Sequence, residues 1–323
     1  MSAREITPGL WRIQLPLPFD LDSVNVHLIK LPEGWMLVDT GLGNERCYQT
    51  LLSGLAEAAI AISDIRLILL THTHPDHLGL ATRLHRETGA RLTLHRREQE
   101  ILTLIDGSAG AFIDQLLAAA GAPEERLGPT RQAFVELRKT FKPVPADYFL
   151  EDGDLIETAL GPLEIVWTPG HAPGHVCLFF TRSRTLISGD HLLEKITPNI
   201  GWFEGRDNLR DYLASLSRIE ARDVHLVLPS HGQPFVGHRQ RAAATRTHHD
   251  TRCRLLETAL GSDEFTSHQL VGTLWPRELS PFNYRFALDE ILAHLEYLRG
   301  LGRVAVRREG PLLYWRASAG PAA

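Results

Sequence analysis

Ile65-Arg66-Leu67-Ile68-Leu69-Leu70-Thr71-His72-Thr73-His74-Pro75-Asp76-His77 decides how the rest of the chain reads. It begins with an apolar run of the length and type of a buried strand. The residues that follow, Leu78 to Leu84, read as the start of a helix. Three histidines and an aspartate therefore lie on a strand-to-helix turn. Side chains alternate along extended backbone, so His72 and His74 point the same way. The turn lets Asp76 and His77 face that space from another side. Imidazole and carboxylate are the donors a borderline divalent cation such as zinc prefers. As plain packing, each of these groups would need a partner of its own. A polar turn that meets metal by accident is the competing reading. The spacing of the donors, and not only their type, weighs against it.

The same design recurs downstream. The strand Leu163-Glu164-Ile165-Val166-Trp167 leads into Thr168-Pro169-Gly170-His171-Ala172-Pro173-Gly174-His175. The strand Thr185 to Ser188 ends at Gly189-Asp190-His191, and Val224 to Leu228 leads to Pro229-Ser230-His231-Gly232. Catalytic and binding groups are commonly held this way, on loops at the strand ends of a rigid scaffold. Upstream, strands are predicted at Leu10 to Leu15, Val24 to Ile29 and Trp35 to Val38. Asp39 ends the third. It is a plain turn residue or an acceptor that orients a metal-binding histidine from behind, the second reading being favoured. His27 reads as a structural strand residue. Helices at 44–60 and 78–88 and a short strand at 91–95 complete a strand–helix alternation typical of layered α/β proteins.

Composition narrows the function classes. A chain of 323 residues suggests about two domains. Its 43% hydrophobic and 23% charged residues are ordinary for a globular protein. A net charge of -5 gives no bulk attraction to nucleic acid or anionic membranes. Cys47, Cys177 and Cys253 are scattered and odd in number, which points to a reducing, cytoplasmic setting. No signal peptide follows Met1, and no apolar stretch is long enough to span a bilayer. A Gly-x-Ser-x-Gly elbow, a P-loop and a dinucleotide fingerprint are all absent.

Residues 96–147 are long for a connection and read as a helical insertion, with helices at 98–105, 111–120 and 130–141 broken by Gly and Pro. Its apolar residues (Phe112, Ile113, Leu116, Leu117, Phe134, Leu137 and Phe141) either cover a substrate pocket or pack against the body. Residues 238–256 form a basic linking helix, with a solvated face the plain reading and an anion-attracting rim the alternative. Ser267 is a candidate cap for a helix in the stretch Phe265 to Leu270. A helix over 287–298 and a hairpin at 304–306 and 312–315 follow.

Taken together, the His72-x-His74-x-Asp76-His77 signature and the turns at His171, Asp190 and His231 resemble the metallo-β-lactamase-fold superfamily of hydrolases over about residues 5–240. The resemblance implies an α/β fold, a four-layer αββα sandwich with a dinuclear metal site at one edge. It implies that His72, His74 and His171 hold one ion, that Asp76, His77 and His231 hold the other, and that Asp190 bridges them. Two divalent ions are expected, zinc first, with iron or manganese as alternatives. Redox di-iron members carry Glu where this chain has His74, which favours the hydrolytic type. His175 and His191 are not expected to be ligands. Helices followed by a hairpin resemble the winged-helix domain of a thioesterase and endoribonuclease branch. The expected division is 1–240 for the catalytic domain and 241–323 for a linker helix and a small winged-helix-like α+β domain. In that C-terminal part basic and acidic residues balance, so a pocket-capping role is favoured over DNA reading.

The function implied is hydrolysis of an ester-type bond by a metal-bridging hydroxide, with Asp76 orienting it or moving its proton. An acyl thioester or related carboxylic ester or lactone is the first expectation. A phosphodiesterase or endoribonuclease is the second and a non-catalytic sensor or DNA-binding regulator the third. The expected partner is a small acyl or phosphate ester, with no membrane and no nucleic acid, and homodimerisation left open.

Overall fold

Alternation along single strands sorts the apolar residues into separate cores. In the strand Val176–Phe180, residues Val176, Leu178 and Phe180 face one core while Cys177 and Phe179 face another. The computed structural model describes residues 3–18, 21–142 and 145–318, without the side chains of 105–109. The expected segment ends at Met1 and Ala323, and Pro143 and Val144 of the insertion, lie outside them.

The first sheet runs β1 (Ala3–Thr7), β2 (Leu10–Pro16), β3 (Ser23–Lys30), β4 (Trp35–Val38), β5 (Ile65–Leu69), β6 (Arg91–His95) and β7 (Tyr148–Leu150) in spatial order. Its β1–β4 part is antiparallel and β4–β7 parallel. The second sheet has the order β12-β11-β10-β9-β8, from β8 (Leu155–Thr158), β9 (Gly161–Trp167), β10 (Val176–Phe180), β11 (Thr185–Gly189) and β12 (Leu226–Pro229). Leu10, Ile29, Met36 and Leu69 of the first sheet meet Ile165, Leu178, Ile187 and Leu228 of the second. On the outer face of the first sheet, Ile13, Leu15 and Ile68 pack with α1 (Glu45–Glu57) and, past α2 (Pro75–Leu78), with α3 (Ala81–Thr88). Two sheets covered outside by helices give the four layers.

The outer face of the second sheet carries the largest core. Val166, Phe179 and Val227 pack there with the end of α4 (Arg96–Ala120), which is followed by α5 (Glu124–Arg138), and with α6 (Asn208–Glu220), α7 (His238–Leu260) and α9 (Pro281–Gly300). The short helix α8 (Val271–Leu274) and the hairpin β13 (Val304–Glu309) and β14 (Leu312–Ala317) close it. Trp315, with no exposed surface, and Leu313 belong to this same core, so the C-terminal elements share their interior with the sandwich.

Three local expectations fail, the first being the helix expected over 130–141, which instead runs from Glu124 through Pro129 to Arg138. The helix expected to break between Ile105 and Ala111 is continuous from Arg96 to Ala120. A glycine costs a helix only about 1 kcal/mol. Burial of Ile113, Leu116, Leu117 and Ala120 outweighs that. Ser267 caps no helix: residues 267–270 form turns, and its hydroxyl is buried without a partner. The cap that does form downstream is Ser280, which accepts from the Asn283 amide ahead of Pro281 at the first helical position.

Candidate metal centre

β5 delivers the Thr71–His74 loop, and Pro75 opens α2 immediately after it. Behind this loop stands Asp39, buried at the end of β4 with φ of 59°. That is a left-handed conformation in which Asp is among the few tolerated non-glycine residues. Asp39 accepts from the Thr71 amide at 2.8 Å and from its hydroxyl, and from His77 Nδ1 at 2.9 Å. Because the carboxylate only accepts, the His77 proton sits on Nδ1 and the Nε2 lone pair points forward. His171 and His231 are fixed likewise, donating from Nδ1 to the Asn199 carbonyl at 2.7 Å and the Ser23 carbonyl at 2.8 Å.

The forward-facing atoms converge in two groups. In one, His72 Nε2 lies 3.0 Å from His74 Nδ1 and 3.2 Å from His171 Nε2, and Asp190 Oδ2 is 3.6 Å from His171 Nε2. In the other, Asp76 Oδ2 lies 3.7 Å from His77 Nε2 and 3.4 Å from His231 Nε2. Asp190 Oδ1 is 3.6 Å from His77 Nε2 and 3.5 Å from His231 Nε2. The two oxygens of Asp190 thus face different groups. The structure brings all seven sequence-predicted residues together.

Electrostatics agree with a cation site. Burial drives His72, His74 and His171 below the ordinary imidazole value, His74 to about 3, so three neutral lone pairs crowd together. Burial opposes charge on His77 and His231 too, but Asp76 and Asp190 outweigh it and raise both, His231 to about 10. Without a metal ion these rings themselves carry the positive charge the carboxylates call for, and a bound cation would take the place of the Nε2 protons. His77 Nε2 and Asp190 Oδ1 are buried with no hydrogen-bond partner. Unpaired buried acceptors aimed at one another are costly unless a cation lies between them. The donor set of imidazoles and carboxylates suits divalent metal ions.

His175 is not among the converging donors. It hydrogen-bonds Thr168 Oγ1 at 2.8 Å through Nδ1 and accepts the Asp190 amide at 3.1 Å through Nε2, holding the backbone of that residue. A Cβ at Gly189, whose φ is 51°, would stand 2.5 Å from His175 Nε2, so glycine is required there. His191 is buried against Tyr212, with neither ring nitrogen partnered. His27 is a buried strand residue, as expected.

Glu98, in the first turn of α4, went unread in the sequence. It is 1% exposed, and it accepts from the Thr73 amide at 2.8 Å, the Thr73 hydroxyl at 2.6 Å and the Gly174 amide at 2.6 Å. It therefore ties the His72–His77 loop to the His171–His175 loop. The only sequence signal was an acid at a helix start, common to many helices.

A cleft of about 650 Å³ opens onto Asp76, His171, Asp190 and His231 and is walled by Leu17, Leu193, Ile196 and Phe286. A smaller cavity of about 100 Å³ adjoins it at His74 and His171. The insertion divides its apolar residues: Phe112, Phe134, Leu137 and Phe141 line the cavity, while Ile113, Leu116 and Leu117 enter the core. The basic helix α7 spends its arginines on neighbours. Arg241 donates to the Leu193 and Ile196 carbonyls at 2.6 Å, Arg246 pairs with Glu220, and Arg252 with Glu290.

Comparison with known proteins agrees with this geometry. The family described as the metallo-beta-lactamase superfamily matches residues 19–231. The chain is 25% identical to the probable metallo-hydrolase YqjP of Bacillus subtilis, over 96% of this chain and 98% of that one. It is 28% identical to the human acyl-coenzyme A thioesterase MBLAC2, over 72% of this chain and 81% of that one. Among solved structures, the metallo-beta-lactamase family protein TTHA1429 of Thermus thermophilus superposes with a TM-score of 0.85 at 34% identity, covering 97% of this chain and all of that one.

Proposed function

The chain belongs to the metallo-beta-lactamase superfamily and is a hydrolytic enzyme, and from that premise we propose that it hydrolyses acyl thioesters or closely related carboxylic esters at a pair of zinc ions. The observation that carries the substrate class is the largely apolar cleft that meets Asp76, Asp190 and His231. An acyl chain fits such walls; a polyphosphate or RNA backbone needs a basic track. Of the α7 arginines that were candidates for one, Arg241, Arg246 and Arg252 are bonded to carbonyls and carboxylates. The similarity to an acyl-coenzyme A thioesterase supports the same reading.

In this reading His72, His74 and His171 would hold one ion and Asp76, His77 and His231 the other, with Asp190 facing both groups. The chemistry that zinc ions would supply there is an acidified water and polarisation of a carbonyl. The protein does the rest. Asp39 and the Asn199 and Ser23 carbonyls fix the tautomers of His77, His171 and His231. Asp76 stays ionised, since His77 and His231 lower it to about 2 against the effect of burial, and its carboxylate would accept from the attacking water and orient it. The apolar walls limit competing water. Residues of α9 wall the cleft, so the C-terminal segment serves as a cap, whatever its likeness to a winged helix. Three buried free cysteines and no helix, among the described residues, long and apolar enough to cross a membrane support a cytoplasmic enzyme.

Metal-replete protein assayed on acyl thioesters, a lactone, a nitrophenyl phosphodiester and single-stranded RNA tests this. Thioester turnover that Asp190→Ala abolishes together with bound metal is the expected result. Turnover of phosphodiester or RNA without thioester overturns it.

A further inference from the structure

Arg285 of α9 stands where the cleft and the smaller cavity join, lining both. Its side chain is 17% exposed, and one guanidinium nitrogen lies 3.1 Å from Asp289 Oδ2. Its carbon sits 4.8 Å from the ring centre of Phe286 and 5.3 Å from that of Phe134. The buried Nε has no hydrogen-bond partner. A guanidinium carries five N–H donors in a planar fork. Asp289, itself held by the Trp202 amide, therefore orients the fork without using it up.

The other charges on the cavity wall sharpen the case. Glu98 faces it but both of its oxygens are taken by Thr73 and Gly174. Arg138 faces it with its guanidinium 4.4 Å from the ring centre of Phe141. The two carboxylates, Glu98 and Asp289, are thus engaged with groups of the wall, and Arg285, which alone of these charges borders both spaces, keeps N–H donors in a fork framed by aromatic rings. A cavity of about 100 Å³ has room for a short chain of a few carbons. A bulky leaving group needs the open cleft.

We infer that Arg285 determines specificity by binding a carboxylate at the far end of the substrate's acyl group, so that the preferred substrates are short ω-carboxyacyl thioesters. This rests on the thioester reading above. The two carboxylate oxygens match two N–H groups of the fork, and the low-dielectric aromatic wall strengthens that pair. In the reaction the water oxygen bonds to the acyl carbon, the carbon–sulfur bond breaks, and a proton passes to the departing thiolate. The products are a dicarboxylate and a thiol.

The test compares glutaryl and pentanoyl thioesters of N-acetylcysteamine, equal in chain length and leaving group. The ratio of their kcat/KM values, glutaryl over pentanoyl, is expected to favour glutaryl in the parent enzyme and to fall about 100-fold in Arg285→Gln. Removing Arg285 leaves Asp289 buried and unpaired, so the double variant Arg285→Gln/Asp289→Asn is measured beside it. A ratio unchanged within about twofold in both variants overturns the inference. If neither thioester is hydrolysed, the function proposed above fails, and binding still decides the pocket. Free glutarate is expected to raise the melting temperature of the parent and not of the double variant; equal shifts overturn the inference.

Discussion

Glu98 and Gly174 lie 76 residues apart, and the Glu98 carboxylate accepts the Gly174 amide at 2.6 Å. A Cβ on Gly174 would stand 2.8 Å from Glu98 Cγ, so the loop of His171 rests directly on the helix that anchors the loop of His72. Glu98→Gln substitutes an amide that cannot accept from both loops at once. Glu98 acts as a positioning residue, and the expected result is a loss of metal affinity of roughly 10–100-fold, the usual effect of disturbing groups behind a metal site. Chelator competition measures it. Unchanged affinity with only a lowered melting temperature would reduce Glu98 to a structural role.

Asp39→Asn separates backbone from charge. Asn tolerates the left-handed φ of 59°, so the turn survives. Its amide nitrogen facing His77 Nδ1 favours the other tautomer, with the proton on Nε2 where the lone pair is needed. Elemental analysis should show metal content falling toward one ion per chain, with the fold intact by circular dichroism. Full occupancy would remove Asp39 from the orienting role.

Stability should fall in mild acid, in part through His249. Its Nδ1 lies 3.1 Å from His294 Nε2, between α7 and α9, with His248, Arg252 and Glu290 nearby. Burial first, then His294, holds His249 down to about 2. The folded chain keeps it neutral, while the unfolded chain binds a proton below about pH 6.5. Its contribution is therefore full above that pH and is lost as pH falls below it, by about 1.4 kcal/mol per unit. Denaturant titrations between about pH 6 and pH 4.5 should show a shallower pH slope for His249→Gln than for the parent. Equal slopes would show that the site is not kept neutral.

Ending the chain at Leu260 removes α9 and the hairpin, and with them Leu288, Leu292, Leu295 and Trp315. The remainder would expose the outer faces of α6 and α7. Loss of one large buried side chain alone costs about 3–5 kcal/mol, comparable to a typical total stability. The truncated chain is expected to be insoluble or to melt without a cooperative transition. Cooperative unfolding near the parent midpoint would show that residues 1–260 stand alone.

The metal groups were legible because their signals are local. His72, His74, Asp76 and His77 fall on one turn, and His171, Asp190 and His231 each follow an apolar strand. Asp39 was legible for the same reason, at the end of β4. Glu98 was not, because its partners lie 25 and 76 residues away and nothing in the local pattern marks them. Arg285 was hidden within a long amphipathic helix, its position set by how α9 packs on α5 and α6. Continuity of α4 through Gly107 and Gly110 escaped the local pattern because tertiary burial overrides propensity.

Helix α9 is used on both sides. Leu288, Ile291 and Leu295 hold the molecule together, while Arg285 and Phe286, on the same few turns, face the cleft. Selectivity and durability are therefore inherited as one unit. An engineer who redraws the acyl preference by exchanging this helix disturbs the largest core as well, so laboratory evolution toward new substrates should accumulate compensating changes around Trp315 and Tyr212 before it succeeds at the cleft.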